Sequence, residues 1–217
     1  MPNCAECVQK PCRTQGDFSL APSNCPTVGV DEETTLARYT DEQVRIARCA
    51  AAVEGHGYGR LTRVEEIMDF AMRCGYHKLG LAFCAGFSSE GATLSKILRK
   101  NGFEVVSVCC KNGSVPKRKI GIPQEDQVRT DKDVEIMCNP AGQAALLNEE
   151  KVDLALVLGL CVGHDTIFLQ HIQVPTTYVA VKDRATGHNP LAAIYCSDGY
   201  LRRVYKFVKH YWSKDEA

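Results

Sequence analysis

Residues 152–161 read VDLALVLGLC, an almost wholly aliphatic run that ends at Cys161. An apolar stretch without alternating polar residues is typical of a strand that is buried on both faces, as in a parallel sheet. Three shorter runs have the same character, at residues 79–83, 105–108 and 176–181. We therefore predict four strands in a sheet that helices cover on both faces.

The segments between these strands carry helix-start signals. Thr40 with Gln43, and Thr62 with Glu65, have the spacing of a capping box. The pair Asn139-Pro140 is typical of an N-cap followed by the first helical residue. We predict helices at residues 41–54 with Gly55 as the stop, 62–75, 89–101, 139–148, 164–172, from 189 onward, and 201–212.

Strands that alternate with helices indicate a parallel sheet. The predicted fold class is α/β, with a doubly wound, mostly parallel sheet of four to five strands in a flavodoxin- or Rossmann-like arrangement. We expect the second strand to lie outside the first, so that the first and third strands are neighbours. Residues 1–35 are predicted to be a cysteine-rich metal-binding segment, and residues 36–217 the α/β domain with its leading helices.

The front segment is defined by Cys4, Cys7, Cys12 and Cys25, which have C-x2-C-x4-C-x12-C spacing. This stretch has few apolar residues, so a coordinative or covalent clip must order it. Four thiolates suit zinc or an iron–sulfur cluster. Because the spacing lacks the second C-x2-C knuckle of a zinc ribbon, and Pro26 follows Cys25, we favour a [4Fe-4S] cluster and keep zinc as the alternative.

The composition of the chain argues against several classes of function. The chain has 217 residues with 26 basic and 26 acidic side chains, so its formal net charge is zero. A neutral balance argues against binding to nucleic acid or to an acidic membrane surface. The sequence has no apolar run long enough to cross a bilayer and no secretory signal, so we expect a cytoplasmic protein. In that reducing setting the 12 cysteines are better explained by metal binding or burial than by disulfides.

A second group of cysteines follows the predicted strands. Cys84, Cys110 and Cys161 each come directly after a strand, and Cys138 precedes a helix. The carboxyl ends of parallel strands meet at one edge of the sheet, where ligands bind at the point of strand-order reversal. We therefore predict a second metal site there, held by these four residues. The alternative is that they pack as small apolar side chains, as free cysteines often do.

Other polar residues are expected at the same edge. His164 and Asp165 follow Cys161, and we predict catalytic roles for them and for Lys182. Arg184, His188 and Asn189 are predicted to bind substrate, which Lys182 or Arg184 would hold if it is anionic. Simpler roles stay open: Asp165 can complement a helix N-terminus, Asn189 can be an N-cap, and Lys182 can lie in a solvated turn.

These motifs together resemble domain-of-unknown-function family 1847. The resemblance is carried by the front cysteines and by GLAFC at 80–84, MCNP at 137–140, GLCVGHD at 159–165 and VKDR at 181–184. It extends through His188-Asn189-Pro190 and covers nearly the whole chain. It implies a cysteine-rich metal-binding protein of bacteria or archaea, and it supplies no reaction.

Two functions follow as hypotheses. The first is an iron–sulfur protein, with one or two [4Fe-4S] clusters, that carries out redox or sulfur chemistry on a small molecule at the carboxyl edge of the sheet. The second is a non-catalytic zinc-binding or sensor protein with a structural Cys4 site. A third possibility is a plain small-molecule pocket lined by core cysteines. An electron-transfer partner stays open, as does a homo-oligomer formed through the aromatic carboxyl-terminal residues.

Overall fold

The structure is a computed structural model and describes residues 1–13, 17–131 and 133–207. The backbone falls into two compact units, Met1–His56 and Gly57–Ala217. The predicted cysteine-rich segment, residues 1–35, is contained in the first unit. The division after residue 35 stays a prediction.

The first unit is irregular up to its two helices. Short 3-10 turns at Cys4–Glu6, Pro11–Arg13 and Phe18–Leu20 precede α1 (Glu32–Leu36) and α2 (Asp41–Gly57). The capping box that was predicted for α2 is present: the Thr40 N–H donates to Gln43 Oε1 at 2.9 Å, and the Gln43 N–H donates to Thr40 Oγ1 at 3.2 Å.

The expected helix stop at Gly55 is wrong, because α2 continues to Gly57. Glycine inside a helix costs about 1 kcal/mol relative to alanine. This cost is too small for one glycine to end a helix when the turns on either side of it are helical.

The second unit is an α/β fold. Its four strands form one sheet in the order β2-β1-β3-β4, and all three strand pairs are parallel. The predicted α/β fold class and strand arrangement are thus confirmed, with four strands. In chain order the elements are α3 (Arg63–Arg73), β1 (Lys78–Phe83), α4 (Ser88–Lys100), β2 (Glu104–Cys109), α5 (Pro140–Glu149), β3 (Leu154–Leu158), α6 (His164–His171), β4 (Thr176–Ala180) and α7 (Leu191–Tyr195).

The register places the sheet's carboxyl edge where the sequence predicts it. Phe83 of β1 lies beside Cys109 of β2 on one side and beside Leu158 of β3 on the other. All five residues of β3 are buried, whereas those of β4, at the edge of the sheet, are half-buried. The chain runs outward from β1 to β2 and then returns to β3, so the strand order reverses between β1 and β3, where ligands bind in such sheets.

A long connection joins β2 to α5. An antiparallel bridge between Pro116 and Ile136 closes its neck. Two backbone hydrogen bonds flank that bridge, from the Lys117 N–H to Glu135 O and from the Met137 N–H to Val115 O, both at 2.8 Å. The connection is therefore a closed loop that returns to the sheet edge.

The carboxyl-terminal part of the second unit differs from its prediction. Residues Arg202–Lys206 form a 3-10 helix rather than the start of an α-helix, and residues 208–212 of the predicted helix lie outside the described residues. Within the described ranges, none of the helices has both the length and the apolar character that a membrane span requires.

Candidate functional site

Three cysteines meet where β1 and β2 end. The Cys84 N–H donates to Leu158 O at 3.1 Å, which ties the end of β1 to β3, and the Cys110 N–H donates to Phe83 O at 2.9 Å. Cys138 is brought alongside because its neighbour Asn139 donates its N–H to Cys110 O at 2.7 Å. Parallel strands and the returning loop thus bring together three thiols that are distant in the sequence.

The three thiols interact in a row with Cys110 in the middle. Cys110 is buried at 1% exposure, and its Sγ also accepts a hydrogen bond from the Ala85 N–H at 3.3 Å. Hydrogen bonding with Cys138 and with Cys84 raises the pKa of Cys110, because two thiolates beside it disfavour a third charge. Cys110 therefore stays a thiol between two more acidic neighbours.

The outer two thiols are stabilised as thiolates. The pKa of Cys84 is lowered to about 5, chiefly by its hydrogen bond with Cys110 and further by the Gly86 N–H and by Lys182. The hydrogen bonds with Cys110 and with His164 lower the pKa of Cys138 to about 4, and the same contact with Cys138 raises the pKa of His164. Donated hydrogen bonds and nearby positive charge favour the thiolates, which lowers the pKa of both cysteines. The Cys138 thiolate in turn favours protonated His164, which raises the pKa of that histidine.

Each thiol that lines the cavity has a cationic neighbour. Lys111 Nζ lies 3.5 Å from Cys138 Sγ, and Arg184 Nη2 donates to Cys161 Sγ at 3.4 Å. Lys182 is the charged neighbour of Cys84. Positive charge is thus placed beside sulfur at three separate positions.

These groups surround one cavity of about 690 Å³. It is of the size that small-molecule sites usually have. Its lining includes residues from the ends of β1 and β3, the start of α6, the segment after β4 and both arms of the long loop. The lining residues that carry the chemistry are Cys84, Lys111, Lys117, Arg129, Glu135, Cys138, Cys161, His164, Lys182, Arg184 and His188.

Three residues with predicted roles at this edge are not among those that line the cavity, namely Cys110, Asp165 and Asn189. Cys110 is buried between Cys84 and Cys138. Asp165 lies in the first turn of α6, and its Oδ1 accepts from the Thr166 N–H at 2.8 Å. Asn189 lies just before α7, and its N–H donates to Thr186 O at 3.3 Å. The position of Asp165 fits the simpler role that the sequence left open, beside a helix N-terminus. The N-cap of α7 is Pro190, so Asn189 is not the N-cap of that helix.

The front cysteines form a separate group in the first unit. Cys4, Cys7 and Cys25 line a small cavity of about 20 Å³, and Cys12 is not part of its lining. Cys7 Sγ accepts a hydrogen bond from the Lys10 N–H at 3.4 Å. A hydrogen bond from the Thr27 backbone lowers the pKa of Cys25. Backbone donors to sulfur favour the thiolate, which is the metal-binding form.

All twelve cysteines lie in the described part of the chain, and none of them forms a disulfide bond. In the side-chain positions of residues 1–13, 17–131 and 133–207, no three His, Cys, Asp or Glu residues are grouped closely enough to hold one metal ion. A metal centre at either set of cysteines would therefore require side chains to turn from their present hydrogen bonds toward a common centre.

Sequence reasoning missed four residues of the cavity: Phe87, Lys111, Arg129 and Glu135. Three of them belong to the long connection, which the sequence marks only as long and basic. Phe87 is buried behind the cavity and contacts both Lys182 and His188. Its position four residues after the end of β1 gives no signal of those contacts.

Comparison with known proteins gives a family. The family described as "protein of unknown function (DUF1847)" matches residues 25–179. The chain belongs to this family. An uncharacterised protein of Methanocaldococcus jannaschii is 37% identical over 201 residues, which is 93% of this chain and 97% of the relative. Membership in DUF1847 thus extends to an archaeal relative of nearly the same length.

Among solved structures, the crystal structure of Dph2 from Pyrococcus horikoshii with a 4Fe-4S cluster resembles part of this DUF1847 member. The similarity covers 69% of this chain and 33% of that one, with a TM-score of 0.36 and 15% identity. The chain thus spans about a third of the length of Dph2. Similarity of this degree carries no conclusion for this chain.

Proposed function

We propose that this protein binds metal through its thiols and holds an iron–sulfur cluster at the carboxyl edge of the sheet. Its ligands there would be Cys84, Cys110 and Cys138, with Cys161 completing the set. The adjoining cavity would admit a small molecule for redox or sulfur chemistry. The observation that carries the proposal is the convergence of three free thiols from β1, β2 and the long loop at the strand-order reversal.

The donor set fits such a group in its chemistry. Thiolates are the ligands of iron–sulfur clusters, and hydrogen bonds to sulfur, net charge and solvent exposure set the cluster potential. Cys110 Sγ accepts a backbone N–H, and cationic side chains lie beside Cys84, Cys138 and Cys161. These cations offset the negative charge that several thiolates would place together.

A cluster held by all four cysteines would supply or accept electrons, whereas one held by Cys84, Cys110 and Cys138 alone would leave one iron open to a ligand. The residues of the chain do the remaining work. Lys111 fixes Cys138 and the loop together, because its Nζ also donates to Ile136 O. His164 lies against Cys138 and lines the cavity, so it can hold or move a proton beside the substrate.

A second metal centre is proposed for the front cysteines, Cys4, Cys7, Cys12 and Cys25. Three of these four share one small cavity, and the sulfurs of two accept backbone hydrogen bonds. Zinc is the alternative at this site, because a closed set of four thiolates is also typical of structural zinc.

The test is metal analysis of protein purified without oxygen. We expect iron and acid-labile sulfide in stoichiometric amounts, with visible absorption that bleaches on reduction. Substituting Cys84, Cys110 or Cys138 by serine should remove the iron and sulfide that belong to the cavity. Cys109→Ser is the matched control, since Cys109 is the chain neighbour of Cys110 but is not one of the thiols that interact with it, which are Cys84 and Cys138, and it should keep both.

A Cys7→Ser variant separates the two centres, because it should reduce only the metal held by the first unit. Colourless anaerobic protein with stoichiometric zinc and no sulfide would reject the iron–sulfur proposal in favour of a zinc-binding protein. Full retention of iron after combined substitution of Cys84, Cys110 and Cys138 would reject the cavity as its location.

A further inference from the structure

The cavity carries more positive than negative side chains. Five basic residues line it, namely Lys111, Lys117, Arg129, Lys182 and Arg184, and within the described residues Glu135 is the one carboxylate in the lining. Lys117 pairs with that carboxylate at 2.9 Å. A cavity lined in this way attracts anions and concentrates them.

His188 is held in a strained backbone conformation at this cavity. Its φ is +68°, in the left-handed region that a non-glycine residue rarely adopts. Two hydrogen bonds to Asp183, in the loop after β4, fix the backbone and the ring of His188. The His188 N–H donates to Asp183 O at 2.7 Å, and the Asp183 N–H donates to His188 Nδ1 at 3.1 Å. Strain that the surrounding structure over-determines is characteristic of functional positions.

The hydrogen bond to Nδ1 also decides what the ring can do. A neutral imidazole that accepts at Nδ1 carries its proton on Nε2. Nδ1 is occupied by the backbone, so Nε2 is the ring nitrogen left to meet a ligand. His188 thus offers a donor and no acceptor.

Phe87 contacts both His188 and Lys182, which line the same cavity. The Lys182 Nζ lies 3.9 Å from the centroid of the Phe87 ring, and the His188 ring centroid lies 4.5 Å from it. Phe87 is 5% exposed, so the ring is a fixed support. A rigid aromatic side chain therefore supports both an ammonium group and an N–H donor at the wall of one cavity.

We infer that Lys182 and His188, supported by Phe87, form a binding subsite for an oxyanion of the substrate, either a carboxylate or a phosphate group. An ammonium group and a ring N–H, neither of which can itself accept a hydrogen bond, match the oxygens of such a group, and charge-assisted hydrogen bonds are the strong ones. Arg129, on the loop wall, adds a further cation to the same cavity. The inference goes beyond the proposed metal centre, because it depends on the cationic wall and not on what the thiols hold.

The test is calorimetric titration of anaerobically purified full-length protein with inorganic phosphate and, separately, with succinate at constant ionic strength. Binding of one and not the other identifies which oxyanion the subsite takes. Lys182→Met keeps an apolar stem over Phe87 and removes the charge. His188→Asn removes Nε2 and suits the left-handed backbone, which asparagine tolerates. Each variant should weaken binding at least tenfold, which is about 1.4 kcal/mol.

The matched control is Lys119→Met. Lys119 is a basic residue of the long connection between β2 and α5 that is exposed and does not line the cavity. Its substitution should change the affinity less than about twofold, as expected of an exposed charge that contacts no ligand. Failure of both anions to bind, or equal affinity in wild type and both variants, overturns the inference. Iron is measured on the same samples. Loss of iron in Lys182→Met with unchanged anion affinity also overturns it, since Lys182 would then only offset thiolate charge. Anion binding by protein that contains no iron supports the subsite and rejects the proposed cluster.

Discussion

Replacing Gly159 by alanine should destabilise the fold and disturb the cavity at once. Gly159 follows β3 with a φ of +64°, and a Cβ there would lie 2.1 Å and 2.3 Å from two carbons of the Phe87 ring. No real Cβ contact is that short, so the ring must move. The ring is buried and supports Lys182 and His188, so it cannot move without displacing them.

The cost has two parts that can be separated. A non-glycine residue in the left-handed region costs about 1–2 kcal/mol. Forcing extra volume into a packed site costs a further 1–3 kcal/mol or so. Gly75 has nearly the same φ, +69°, and open space where its Cβ would be. Gly75→Ala should therefore show the first part alone, and Gly159→Ala both.

Urea unfolding of the two variants measures this difference directly. We expect Gly159→Ala to lose about 2–5 kcal/mol of unfolding free energy and Gly75→Ala about 1–2 kcal/mol. We also expect Gly159→Ala to weaken binding of phosphate or succinate in the titration described above, with Gly75→Ala unaffected. Equal losses of stability in the two variants would refute the steric argument, and with it the role of Phe87 as a fixed support.

Two further predictions concern polar contacts below and beside the cavity. Gln143 is fully buried, and its Nε2 donates to Phe83 O at 3.1 Å and to Val108 O at 2.7 Å, near the ends of β1 and β2. Gln143→Leu removes both hydrogen bonds, although Phe83 O keeps the one from the Cys110 N–H, and should cost about 2 kcal/mol in urea unfolding. The exposed Gln173→Leu should cost less than about 0.5 kcal/mol. The hydrogen bond from Lys117 lowers the pKa of Glu135, so this carboxylate stabilises the fold above the pKa of an unfolded glutamate, about 4.3, and the contribution is lost as the pH falls through the lowered folded value. The difference in unfolding free energy between wild type and Glu135→Gln should accordingly shrink over that acidic range. A difference that is constant with pH would contradict the assignment.

The sheet was predictable because its signals are local. The aliphatic run at 152–160, the capping box at Thr62 and the Asn139-Pro140 pair each report on one element, and parallel pairing then leaves few strand orders. The positions of Cys84 and Cys110 follow from the same rule, since each comes directly after a strand. Sequence could therefore place these two thiols at one edge without knowledge of any contact.

The rest of the cavity depends on contacts that no local pattern encodes. Lys117 was noted only as part of a basic cluster, yet it is the residue whose backbone and side chain both pair with Glu135 at the loop neck. Arg129 lines the cavity because the loop turns back between Lys117 and Glu135. Periodicity and spacing predict neither the path of an irregular loop nor the contact between Lys182 and the Phe87 ring.

Two asparagines explain how that loop can still deliver a thiol reliably. The Asn139 Nδ2 donates to Asn112 Oδ1 at 2.9 Å, and the Asn112 Nδ2 donates to Asn139 O at 3.1 Å. Asn139 Oδ1 also caps α5 through the Gly142 N–H. The residue after Cys110 and Lys111 is thus bonded to the residue after Cys138, so the two ends of the long connection are fixed to each other and to a helix start.

The two ends of the long connection and its tip therefore have different roles. The ends set the distance between Cys110 and Cys138, which any thiol chemistry requires to be constant. The tip, beyond the bridge at Pro116 and Ile136, supplies cavity-lining side chains such as Arg129 without being tied to the sheet. Changes in the tip should therefore alter which small molecule binds while the thiol group stays intact, because no hydrogen bond that positions Cys110 or Cys138 comes from residues 118–134 in the described structure.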